Sequence, residues 1–72
     1  MSRIVALGEG ARVRGFALAG ATVVVAEDVA GVIEAYEALE ADVGLLVMTP
    51  AAAEVVSSRL DERPHLLSVV MP

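Results

Sequence analysis

The chain has 72 residues, of which 57% are hydrophobic and 21% are charged, and it contains no cysteine. A chain of this length forms one small domain, which we place over residues 1–72, and without cysteine it has no disulfides or thiolate metal sites. The formal net charge of −5, with one Tyr, one Phe and no Trp, argues against nucleic-acid binding. No apolar run approaches the roughly 20 residues that a membrane-spanning helix needs, so we expect a cytoplasmic location without membrane insertion.

Apolar runs alternate with helical patterns along the whole chain. The predicted strands cover residues 4–7, 22–26, 43–48 and 66–71, and the predicted helices cover residues 12–20, 29–39 and 50–62. The strands are apolar on both faces, which is typical of a parallel sheet with short right-handed crossovers. The sequence therefore predicts a small α/β fold: a doubly wound, four-stranded parallel sheet in the order βαβαβαβ, flavodoxin- or receiver-like, with helices on both faces.

Local signals mark where the helices begin and end. Asp28 is placed as the N-cap of the second helix, and Thr49-Pro50 is an N-cap followed by proline at the first helical position. Gly20 suits the left-handed residue that ends the first helix. Gly15 lowers helix propensity, which is tolerable if this helix lies close against the sheet. The apolar positions expected to face the sheet are Val13, Phe16 and Ala17 in the first helix, Val29, Val32, Ile33, Tyr36 and Leu39 in the second, and Ala52, Val56 and Leu60 in the third.

No combination of residues predicts an enzyme or a cofactor site. The turn Gly8-Glu9-Gly10 follows a strand, as in dinucleotide-binding folds, but Val13 stands where that fingerprint needs its third glycine. A phosphoacceptor receiver domain needs an aspartate after the third strand and a lysine, and the chain has neither at these places. His65 is the only histidine and has no coordination partners nearby in sequence. We therefore expect a non-enzymatic protein without cofactor or metal.

Four stretches of the chain resemble the F subunit of the A-type/V-type (vacuolar-type) ATPases. The most specific is Gly15-Phe16-Ala17-Leu18-Ala19-Gly20, which is similar to a Gly-Phe-Arg-Leu-Ala-Gly-like string in that family. The valine-rich strand with its acidic helix start (residues 23–28), the third strand (residues 43–49) and the proline-bounded last strand (residues 64–72) match at the level of pattern. The resemblance covers essentially the whole chain.

The resemblance has two departures from the family pattern. Ala17 stands where the family has an arginine, so any polar contact of that arginine is lost. Family members also continue beyond the closing proline into a C-terminal helix that lies along the central stalk, and the 72 residues do not include it.

The resemblance implies a non-catalytic rotor component of the central stalk, which helps to couple ATP hydrolysis or synthesis to proton or ion transport. The implied partners are a coiled-coil stalk protein, similar to the D subunit of these ATPases, and the ATPase head, so the location would be cytoplasmic and peripheral to a membrane complex. The residues we expect to dock are Arg12, Arg14 and Phe16 in the first helix, and Thr49 and Pro50 at the tip of the third strand.

An alternative function belongs to a different class. The high apolar content and the missing C-terminal helix are also consistent with a stand-alone regulatory or interaction domain. If the fourth strand forms an exposed edge of the sheet, it can pair with a second copy of the chain to form a homodimer.

Overall fold

The computed structural model describes residues 3–72 and contains four strands and three α-helices. The strands are β1 (Arg3–Gly8), β2 (Thr22–Val25), β3 (Val43–Met48) and β4 (Leu67–Val70), and the helices are α1 (Gly10–Val13), α2 (Val29–Glu37) and α3 (Pro50–Val56). A 3₁₀ segment follows α1 (Arg14–Ala19), and another follows α3 (Ser57–Glu62). The predicted order βαβαβαβ is confirmed.

All four strands pair in parallel, in the order β2-β1-β3-β4. The chain moves from β1 to β2 at one edge, crosses back over β1 to β3, and ends with β4 at the other edge. The register places Ile4 beside Leu45 and Leu45 beside Leu67, so one row of apolar side chains crosses three strands. The predicted parallel α/β sheet of flavodoxin-like order is therefore confirmed.

Helices α2 and α3 cover one side of the sheet, which we call the helix-pair face. Its core includes Tyr36, Leu46 and Met48, each with 1% or less of its surface exposed. The full buried cluster consists of Val5, Leu7, Ala26, Val32, Tyr36, Val43, Leu46, Met48, Ala52 and Val56. The predicted inward positions Ala52 and Val56 are buried, and Leu60 packs against the same cluster. Most of the hydrophobic stabilisation of the fold lies on this side of the sheet.

The other side, which we call the short-helix face, is covered only by α1 and the 3₁₀ segment after it. Its buried cluster holds Ala6, Val13 and Met71, with Phe16 half-buried against them. The two clusters alternate along the strands because successive side chains of a strand point to opposite faces. The prediction of helices on both faces is confirmed, although the two coverings are very unequal.

The prediction that every strand is buried on both faces is wrong for the two edge strands. Every residue of β4 is exposed, and Leu67, Val69 and Val70 have 69%, 50% and 50% of their surface exposed. The ends of β2 are exposed as well. The physical reason is position: an edge strand has a neighbour on only one side, and the short helix does not extend over β4.

The first helix also differs from its prediction. Regular α-helix ends at Val13, and the 3₁₀ geometry that follows turns Ala17 outward, so the expected inward stripe holds for Val13 and Phe16 only. A Cβ on Gly15 would meet nothing within 4 Å, so the close packing on the sheet that would make a glycine tolerable here is not found at this residue. Gly20 does end the segment in the left-handed region, with φ of 90°.

The other two helices begin where the sequence predicts. The Asp28 side chain accepts a hydrogen bond from the Gly31 amide (2.7 Å), and the Thr49 hydroxyl accepts one from the Ala52 amide (3.3 Å). Val29 is the exception to the inward stripe of α2, since 61% of its surface is exposed. The α-helix of the third crossover ends at Val56, and the 3₁₀ segment completes the predicted span.

Candidate docking surface at the carboxyl ends of the strands

The carboxyl ends of β1 and β3 are joined by one side-chain hydrogen bond. The Thr49 hydroxyl donates to Glu9 Oε1 at 2.6 Å, while the Thr49 amide donates to the Leu7 carbonyl at 3.2 Å. Thr49 is completely buried, and a Cβ added to Gly8 would overlap its side chain. Gly8 is therefore required here because the Thr49 side chain fills the space beside the backbone.

This junction is the topological switch point of the sheet. The chain leaves β1 toward the short-helix face and leaves β3 toward the helix-pair face, which is the geometry at which open α/β sheets usually bind ligands. In this protein the crevice between the two strand ends is occupied by the Thr49 side chain. We call the hydrogen bond between Thr49 and Glu9 the bridge, because it joins the two connections that run to opposite faces of the sheet.

The carboxylate of Glu9 is stabilised in its charged form by this bridge. Its pKa lies below the ordinary value of 4.5, chiefly because the Thr49 hydroxyl donates to the carboxylate, with Arg12 adding a smaller attraction. A second carboxylate links the adjacent turn, since the Gly10 amide donates to Glu27 Oε2 at 3.3 Å. Glu27 follows β2, where a dinucleotide-binding fold has its ribose-binding acid, and here it holds the turn after β1 instead.

The five docking residues predicted from the sequence are divided between surface and interior. Arg12, Arg14 and Pro50 are exposed near the carboxyl ends of the strands, and Arg12 Nη2 donates to the Pro72 carbonyl at 2.7 Å. Phe16 is half-buried against the core of the short-helix face, and Thr49 is buried in the bridge. The structure therefore brings Arg12, Arg14 and Pro50 near the carboxyl ends of the strands, with Thr49 buried beneath them, while Phe16 belongs to the core of the short-helix face.

A groove that sequence reasoning missed lies at the same edge, between the first turns of α2 and α3. Its volume is about 260 Å³, and it is lined by Glu9, Ala26, Glu27, Asp28, Val29, Val32, Ala51, Ala52, Glu54 and Val55. The floor is apolar and the rim carries four carboxylates. The one signal in the sequence was the run of alanines after Pro50, because small side chains at a helix start leave room beside a neighbouring helix.

The acidic side chains and the histidine outside this region are spread over the surface of the domain. Within residues 3–72 there is no group of three His, Cys, Asp or Glu side chains that could hold a metal ion. The acidic side chains of α2 and the loop after it are exposed, and Glu40 lies 3.6 Å from Arg3 in an ion pair. His65 is exposed in the turn before β4. Over the same described span, no helix is both long enough and apolar enough to cross a bilayer.

The fold and this edge define a small parallel α/β domain with a closed switch point. Among solved structures, the F subunit of the V-type ATP synthase from Archaeoglobus fulgidus has this fold, with a TM-score of 0.82 and 19% sequence identity. The match covers 99% of this chain and 98% of that chain. No family model matches the sequence, and no curated protein matches it at a significant level. The fold is thus that of the V-type F subunit, in agreement with the resemblance seen in the sequence.

Proposed function

We propose that this protein is a non-catalytic component of the central stalk of a V/A-type ATPase, similar to the F subunit, which helps to couple ATP hydrolysis or synthesis to ion transport. The observation that carries the proposal is the likeness to the V-type F subunit over essentially the full length of both chains. The order of strands and helices along the chain also agrees with the sequence stretches that carry the resemblance. In this role the protein lies at the periphery of a membrane complex.

The proposed partner is the coiled-coil protein of the stalk, with the ATPase head next to it. We propose that Arg12, Arg14 and Pro50 contribute to the docking surface directly. Thr49 contributes by joining the ends of β1 and β3, and Phe16 contributes by anchoring the first helical segment to the core of the short-helix face. The Thr49 side chain fills the space between the ends of β1 and β3, where α/β enzymes usually bind their substrates, which favours a binding role over a catalytic one.

Co-expression with the coiled-coil stalk protein of the source organism tests the proposal. We expect the two proteins to co-purify as a stable complex through size-exclusion chromatography. Arg14→Ala should weaken the complex, whereas Ala30→Glu, which changes the net charge by the same amount at an exposed position of α2, should not. Failure of the wild-type pair to associate would contradict the proposed function.

A second candidate function rests on the exposed fourth strand. β4 has no neighbour on one side, contains no charge or proline, and exposes Leu67, Val69 and Val70. Native edge strands usually carry such features to prevent pairing with another sheet. A domain that self-associates through β4 is therefore the alternative.

Sedimentation velocity over a wide concentration range tests self-association. The alternative predicts a dimer that Val69→Glu disrupts, while Leu18→Glu, at a position with 95% of its surface exposed, leaves it unchanged. A strict monomer at the highest concentration would exclude it.

A further inference from the structure

From the groove between α2 and α3 we infer that this protein binds an arginine or lysine side chain of a partner protein, carried on a segment that is otherwise apolar. The groove selects its partner by the chemistry of one side chain, whether or not that partner belongs to an ATPase.

The size of the groove restricts its occupant. Sites for drug-sized ligands and cofactors are usually about 300–1,000 Å³, and this groove is about 260 Å³. It is open between two helix starts, so it suits one long side chain and its neighbours better than a cofactor. The walls contribute Val29 and Ala51, which are exposed, and Val55, which is half-buried. These apolar walls match the aliphatic stem that arginine and lysine share.

The charge of the rim determines the head group of that side chain. Glu9, Glu27, Asp28 and Glu54 border the groove, and the ion pairs found within residues 3–72 involve none of them. The N-termini of α2 and α3 oppose this charge with about half a positive charge each. Four carboxylates exceed that opposing charge, so the groove favours a cation.

The arginines of the chain itself leave the groove open. Arg63 lies at the far end of α2, where its guanidinium stacks 5.1 Å from the Tyr36 ring centroid and Nη1 donates to the Leu39 carbonyl. Arg3 pairs with acidic side chains beyond α2. Arg12 is close enough to Glu9 to lower its pKa, but its guanidinium is bound to the Pro72 carbonyl. The guanidinium of Arg14 lies against Gly10, and no arginine within residues 3–72 lines the groove, so the groove is open to an external cation.

The probe is a short capped peptide of leucine and arginine, compared with the same peptide in which citrulline replaces arginine. Citrulline keeps the shape of arginine and removes its charge. In a titration followed by amide NMR shifts of the full chain, we expect the arginine peptide to move the signals of residues 27–32 and 51–55. The citrulline peptide should move them much less.

Two pairs of variants locate the binding. Glu54→Gln is the charge test because no hydrogen bond of the Glu54 side chain supports the fold within residues 3–72, and we expect about two- to fivefold weaker binding. Its control, Glu34→Gln, removes an exposed carboxylate of α2 outside the groove. Ala51→Leu fills the groove and should weaken binding roughly tenfold. The same substitution at the exposed Ala30, outside the groove, should leave binding unchanged.

Several outcomes would overturn the inference. These are the absence of shifts with the arginine peptide, shifts centred elsewhere, equal shifts with the citrulline peptide, or equal binding by Ala51→Leu and wild type. Concentration-dependent shifts of the groove amides without peptide would assign the groove to a second copy of the chain instead. Co-purification with the coiled-coil stalk protein tests the proposed function separately, so a failure of the arginine peptide to bind overturns the groove assignment while the proposed function stands.

Discussion

The two faces of the sheet are covered by very different amounts of helix. On the helix-pair face, two helices bury ten residues in one cluster that includes Tyr36, Leu46 and Met48. On the short-helix face, four residues of α-helix and a 3₁₀ segment bury three residues. The same strands supply both faces, since their side chains alternate. The difference therefore comes from the connections between strands.

This inequality leaves apolar surface exposed on one face of the sheet. The helix-pair face supplies most of the buried apolar area and carries the groove at its helix starts. The short-helix face leaves Ile4, Leu67 and Val69 at least 41% exposed. Exposed apolar side chains on one face of a sheet are the pattern of a surface that another molecule covers.

The largest expected loss of stability comes from truncating a buried side chain in the core of the helix-pair face. Leu46 is completely buried, so Leu46→Ala should lower the free energy of unfolding by about 2–5 kcal/mol through lost burial and a residual cavity. Urea denaturation followed by circular dichroism measures this change. The matched substitution Leu18→Ala, on the short-helix side at 95% exposure, should change stability by less than about 0.5 kcal/mol. Equal losses would contradict the unequal packing of the two faces.

The next largest loss of stability should come from removing the Thr49 hydroxyl, which forms the bridge to Glu9. Thr49→Val keeps the shape of the side chain but removes the cap of α3 and the hydrogen bond to Glu9, and the lost cap alone should cost about 1–2 kcal/mol. Urea titrations of both proteins at neutral pH measure this loss.

The bridge also makes the effect of Thr49→Val dependent on pH. The pKa of Glu9 is lowered in the folded state, so its contribution to stability is present above its unfolded pKa of about 4.5 and is lost as the pH falls through the folded pKa. The difference in unfolding free energy between wild type and Thr49→Val should therefore be larger at neutral pH than in acid. A difference that stays constant with pH would show that Glu9 takes no part in the bridge.

A substitution at Gly20, which ends the 3₁₀ segment of the short-helix face, should lower stability less than Thr49→Val does. Gly20 has a φ of 90°, a conformation that costs an L-residue about 1–2 kcal/mol, so Gly20→Ala should lower stability by roughly 1 kcal/mol. Gly20→Asn is the control. Because asparagine tolerates the left-handed region, this variant should lose less stability than Gly20→Ala. Denaturation midpoints of the three proteins measure the series. Equal stability of wild type and Gly20→Ala would mean that the segment ends in another conformation.

The parts of the fold that depend on local signals could be predicted from the sequence. Asp28 and Thr49 cap their helices as expected, and Gly20 closes the first crossover. Capping and strand periodicity involve residues within a few positions of each other, so one sequence contains the information. The exposure of β4 could not be predicted in this way, because it depends on which strands become neighbours in the sheet.

The candidate site was predicted only in part for the same reason. Arg12, Arg14 and Pro50 lie near the carboxyl ends of β1 and β3 because each closely follows one of these strands. The burial of Thr49 results from its contacts with Gly8 and Glu9, about 40 residues earlier in the chain. The groove combines side chains from three separate stretches of the chain, so no continuous motif marks it.

The smallest expected change in stability comes from Gly15→Ala, in the 3₁₀ segment of the short-helix face. A Cβ on Gly15 would meet no atom within 4 Å, and its backbone needs no positive φ. Gly15→Ala should therefore stabilise the protein by about 0.4–1 kcal/mol, because alanine restricts the unfolded chain without straining the folded one. Thermal denaturation measures the shift, with Gly20→Ala, five residues later, as the control of opposite sign. A destabilised Gly15→Ala would mean that this segment packs closely on the sheet, and the two faces would then be more alike than the structure indicates.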